Sequence, residues 1–86
     1  MGRNENLIRK ILQIIEEKPY CTSSSIIIEG FSRDCISIQL NLICREHLIA
    51  AEHSFDESEI MTDLFNIHLT LAGFNYLRNS GSYQTT

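Results

Sequence analysis

Apolar residues near the start of the chain recur at helical spacing. Leu7, Ile8, Ile11, Leu12, Ile14 and Ile15 cluster on one side of a helix, while Arg9, Lys10, Gln13, Glu16 and Glu17 fill the other. Asn4 can accept from the free N–H groups of the first turn, so the pattern predicts a helix from Glu5 to about Lys18. Pro19 ends it, because it lacks an N–H and keeps the residue before it out of helical angles. The pattern then changes. Tyr20 to Ser25 is a polar connector with a partial turn expected around Thr22 to Ser24, and Ile26-Ile27-Ile28 is a β-branched run that favours a short strand.

Gly30 allows a turn, and Ser32 can cap a second helix whose first turn holds Asp34 at the positive end of the helix dipole. At 100° per residue, Ile36, Leu40, Ile43 and Cys44 form one apolar arc with His47 on the same side. Cys35, Ile38 and Leu42 form a second arc opposite, and Asp34, Ser37, Asn41 and Arg45 lie in a narrow polar strip between the two. A helix with two apolar arcs is covered on both sides, either within its own domain or by a partner.

Leu48 to Phe55 follows as a strand, Asp56-Glu57-Ser58-Glu59 as a loop, and a return strand runs from Met61 or Thr62 to Leu69. In that strand Phe65, Ile67 and Leu69 alternate with Asn66 and His68, the period of a half-buried strand. Thr70 caps a last helix from Leu71 to about Asn79, with Leu71, Phe74 and Leu77 expected toward the core and Gly81 as terminator. The expected fold is therefore a small α+β domain of winged helix-turn-helix type: helix, short strand, central helix, two-stranded wing, C-terminal helix. Residues 1–81 form one domain and 82–86 a flexible tail.

Composition narrows the functions open to such a domain. Eleven acidic residues against seven Lys and Arg give a net charge of −4, which counts against strong non-specific binding to nucleic acid but leaves room for a local basic patch. No apolar run approaches the roughly 18 residues of a membrane span, and no signal-peptide pattern precedes the first helix, so a soluble cytoplasmic protein is expected. Cys21, Cys35 and Cys44 are odd in number and widely spaced, as suits reduced thiols rather than a disulfide framework.

The stretches Asn4 to Leu12, Ile28-Glu29-Gly30-Phe31-Ser32, the Leu48-Ile49 exit and Leu69 to Leu77 together resemble a family of small uncharacterised winged-helix proteins from phages and bacteria, classed as a domain of unknown function. The resemblance implies that a strand replaces the second helix of the usual winged-helix plan, and it carries no established catalytic or binding residues. The chain departs from the winged-helix pattern at His47, where glycine commonly precedes Leu-Ile to take a left-handed helix terminus.

Two binding modes remain open. In duplex DNA recognition, Asn41 would read adenine, Arg45 guanine or phosphate, Ser37 either, and Arg33 a phosphate. Against this stand the neighbouring Asp34 and Glu46 and the acidic Asp56, Glu57, Glu59 and Asp63, which place repulsive charge where a DNA-binding wing usually carries cations. In protein association, Ile38, Leu42, Phe74 and Tyr76 would contact a partner or a second copy in a homodimer. Catalysis is not expected, since a nucleophilic cysteine would need a cleft and an orienting third group. Cys44 and His47 are three apart but no second close pair completes a zinc pattern, so neither a metal nor another cofactor is expected, nor a small-molecule substrate.

Overall fold

The computed structural model describes residues 3–53 and 64–82. Three helices, α1 (Glu5–Glu17), α2 (Arg33–Arg45) and α3 (Leu71–Ser82), surround a two-stranded antiparallel sheet of β1 (Ile49–His53) and β2 (Leu64–Leu69). Among the described residues no helix is long and apolar enough to cross a membrane.

Helix α1 starts as its sequence dictates: the Asn4 side chain accepts from the Leu7 N–H at 3.1 Å. It ends one residue short of Lys18, whose φ of −132° and ψ of 73° lie outside the helical region, from which proline restrains the residue before it. Leu7, Ile8, Ile11, Leu12 and Ile15 are buried, and they meet Ile36, Leu40 and Ile43 of α2 and Leu64, Ile67 and Leu69 of β2 in a single core.

The expected strand at Ile26 to Ile28 is not formed. A short 3-10 turn, Ser23–Ser25, stands ahead of it, and from an extended Ile26 the isoleucines run on without forming a strand. Ile26 and Ile28 are buried while Ile27 is 75% exposed, so the segment alternates like a strand but meets the core through side chains alone. The chain touches the sheet earlier, at Cys21, whose carbonyl accepts from the Ile67 N–H at 2.9 Å while the Tyr20 N–H donates to the Ile67 carbonyl at 2.7 Å. A turn then closes from the Phe31 N–H to the Ile28 carbonyl with Gly30 at φ 92°, an angle that favours glycine.

In β2 the expected alternation breaks at a bulge. Ala50 pairs with His68 and Glu52 with Phe65, which leaves Ala51 opposite both Asn66 and Ile67. Asn66 takes the extra residue's left-handed conformation at φ 54°, which asparagine tolerates better than most, and its amide is held by the Glu52 carboxylate. Leu64 and Ile67 therefore both face the core although three residues apart, and Phe65, expected inside, is only half-buried.

The inward face of α3 also differs from the expected one. Leu71 is 77% exposed and Phe74 39% exposed, while Gly73 is buried and Tyr76 and Leu77 pack on the core. The cause is close approach: a Cβ built on Gly73 would lie 2.1 Å from the Leu48 carbonyl oxygen, so the helix rests on the backbone of the α2–β1 junction through its glycine. That contact sets the rotation of the helix and turns Leu71, two residues before, to the far side. Gly81 does not terminate α3, which continues to Ser82.

The junction itself is a Schellman turn. The His47 N–H donates to the Cys44 carbonyl at 3.1 Å and the Leu48 N–H to the Ile43 carbonyl at 3.0 Å, with His47 left-handed at φ 63°. The helix thus ends as a glycine would end it, at the cost of placing a side chain in that region.

Two stability measurements test this arrangement. Gly73→Ala forces the Leu48 backbone and α3 apart, and should cost about 3 kcal/mol and lower Tm by more than about 10 °C in thermal unfolding followed by circular dichroism. His47→Gly should do the opposite, adding about 0.5–1 kcal/mol and raising Tm by roughly 2–8 °C.

Candidate nucleic-acid interface

Helix α2 is held from both ends and along one side. The Ser32 hydroxyl accepts from the Cys35 N–H at 3.2 Å, Asp34 occupies the first turn, and Arg45 lies in the last, where a cation suits the dipole. Its inner side is Ile36, Gln39, Leu40 and Ile43, all buried. Gln39 is the polar member of that set. At 1% exposure, its Oε1 accepts from the Asn4 N–H at 3.1 Å, tying the start of α1 to the middle of α2.

The outer side carries the residues expected to recognise DNA. Arg33 and Arg45 are exposed, as is Asp34, and Ser37 and Asn41 are half-buried. Ser37, Asn41 and Arg45 follow one another at intervals of four along the helix, so they form one continuous row. The Asn41 Nδ2 donates to the Ser37 carbonyl at 2.9 Å, which lays the side chain back along the helix. A two-pronged contact to adenine uses the amide oxygen and one of the two Nδ2 hydrogens, so the side chain would have to swing its oxygen outward to make it.

Arg3, which belongs to no sequence motif, changes the electrostatics of this face. Its guanidinium bonds the carboxylates of Glu5 and Glu46, and it lies 5.7 Å from the centre of the Tyr76 ring. Hydrogen bonds to Glu46 and then Glu5 hold the guanidinium pKa above its ordinary value. Glu46, which would otherwise offset Arg45, is thereby paired from another part of the chain. Its sequence neighbours gave no signal of this, because Arg3 stands 43 residues away.

The second apolar arc divides. Cys35 and Leu42 pack against the core from the flanks of α2, and Ile38 is half-buried on the outer side, three residues from Asn41. Tyr76 also packs on the core, beneath Arg3, whereas Phe74 is 39% exposed. The four residues expected to meet a partner therefore do not form one surface: Ile38 and Leu42 belong to α2, Phe74 and Tyr76 to different sides of α3. The acidic Asp56, Glu57, Glu59 and Asp63 lie outside the described residues.

Among the described residues no three His, Cys, Asp or Glu side chains converge as metal ligands would. The cysteines are free thiols, each half-buried. Burial pushes the Cys21 thiol above its ordinary pKa, against smaller opposing effects of its own backbone and the Ser25 side chain. The proton is held more tightly in the folded chain, so the thiolate fraction at mildly alkaline pH is below that of a free cysteine. Alkylation of Cys21 by iodoacetamide, followed by peptide mass spectrometry, should accordingly be slower in the native protein than in the urea-unfolded chain.

No curated protein and no solved structure matches the chain. A family model does, the one described as hypothetical protein (DUF2513), over residues 2–84.

Proposed function

We propose that this chain, which belongs to the DUF2513 family of hypothetical proteins, is a winged-helix regulatory protein of phage or mobile-element type that binds duplex DNA through the outer face of α2. The observation that carries the reading is the two-sidedness of that helix. Ile36, Leu40 and Ile43 fix one side in the core, and Ser37, Asn41 and Arg45 form a row on the other with Arg33 at its start. A helix so held can enter a major groove as a rigid unit. The element order supports the winged-helix assignment: a first helix, a short segment that bridges to the hairpin at Cys21 and Ile67, then α2, the β1–β2 hairpin and a closing helix.

The pairing of Glu46 with Arg3 also favours this reading, since it leaves Arg45 without a competing neighbour at the end of the row. With Arg33 and Arg45 on phosphates the electrostatic contribution is small, so affinity at physiological salt would be modest and base contacts by Asn41 and Ser37 would carry much of the selectivity.

A protein-interaction role without DNA binding is the second reading. It is favoured by the exposure of Leu71 at 77% and Phe74 at 39%, neither of which DNA binding would use, and by the net charge of −4.

Fluorescence anisotropy with a randomised labelled duplex distinguishes them. Binding at low salt should weaken with added salt at a log–log slope of about −2 for two phosphate contacts, and Arg33→Ala or Arg45→Ala should each flatten that slope by about 1. No binding to any duplex at low salt would sink the DNA reading.

A further inference from the structure

The surface of α3 that turns away from the core carries the apolar Leu71 and Phe74 beside Asn75 and Arg78, and it adjoins the end of α1. Leu71 and Phe74 are three residues apart and so neighbour each other on that surface, at 77% and 39% exposure. Phe74 lines two adjacent grooves. One, of about 230 Å³, is shared with Gln13, Glu16, Leu77 and Arg78. The other, of about 210 Å³, is shared with Glu16, Tyr20 and His68 and is bounded mostly by apolar atoms. Tyr20 is 65% exposed, and its ring lies 5.0 Å from that of His68. An aromatic ridge thus stands beside a hollow of apolar character, with an acid and a base on the rim.

From this juxtaposition we infer that the α1–α3 surface around Phe74 is a homodimer seam, in which the Phe74 of each copy enters the groove beside Tyr20 of the other. Charge favours a second copy over an unrelated partner. Glu16 and Arg78 line the same groove, yet among the described residues the ion pairs are those of Arg3 with Glu5 and Glu46. A two-fold rotation offers Arg78 of the second copy to Glu16 and Glu16 of the second copy to Arg78, so one operation forms two pairs and meets each charge once. The same operation puts ridge into groove on both sides, which a self-complementary patch requires. Aromatic anchors in shallow apolar pockets, ringed by charge, are also the usual centre of such interfaces. The inference stands apart from the DNA reading, because none of these residues lies on α2.

Sedimentation equilibrium from micromolar to millimolar protein tests it, with circular dichroism confirming the fold of each variant. Dimer should form as concentration rises, and Phe74→Asp or Leu71→Asp, both at exposed positions, should weaken association at least about tenfold. Ile27→Asp, at an exposed apolar position outside the patch, should leave it unchanged. Glu16→Arg and Arg78→Glu should each weaken the homodimer, while an equimolar mixture of the two variants should associate more tightly than either alone, because only the mixed pair places opposite charges across the seam. A monomer at every concentration would overturn the inference and leave the patch to a different protein. A dimer indifferent to Phe74→Asp, or a mixture no tighter than its components, would overturn it as well.

Discussion

The carbonyl of Leu48 is the point on which three segments of this fold depend. It sits where α2 has just ended in a left-handed residue and β1 is about to begin, and it accepts the Thr70 N–H at 3.1 Å while Gly73 packs directly over it. Thr70 completes the joint: its hydroxyl donates to the His47 carbonyl at 2.6 Å and accepts from the Gly73 N–H at 3.1 Å, so one side chain both caps α3 and holds the end of α2. Removing the space at Gly73 would part the last helix from the junction, and with it the closure over the sheet. The positions of α2, the hairpin and α3 are coupled because they share these few backbone groups.

That joint also explains why the surface is as it is. A helix seated on a backbone carbonyl through glycine must direct its side chains to either flank, and here Tyr76 and Leu77 take the core while Leu71 and Phe74 are left outside. The exposed apolar stripe is a consequence of tight packing elsewhere. Likewise Arg3 reaches Glu46 because Gln39 and the Asn4 N–H draw the start of α1 against α2. Two polar contacts of modest individual strength thereby decide that Glu46, at the end of α2, is already paired.

Local rules and the structure agree wherever the controlling groups are close in sequence. The Asn4 and Ser32 caps, the stop before Pro19 and the buried side of α1 all follow from residues within one or two turns of each other. Disagreement appears where a distant group intervenes. Phe65 loses its expected place to Leu64 because a bulge at Asn66 shifts the register, and the Ile26 to Ile28 segment has no strand partner because Cys21 already occupies the neighbouring position on β2. The row Ser37, Asn41 and Arg45 was legible from helical spacing alone, whereas the bond of Asn41 to the Ser37 carbonyl and the masking of Glu46 by Arg3 were not.

The amino-acid sequence by itself determined the helices, the hairpin and the inner face of α2, since these arise from periodic burial and from caps that bond within a turn of their own residue. Only the tertiary structure decided how α3 is rotated, where β2 bulges and which charges on α2 are already paired. Each of those depends on a contact between residues far apart in the chain, and a periodic pattern holds no information about what will lie opposite it.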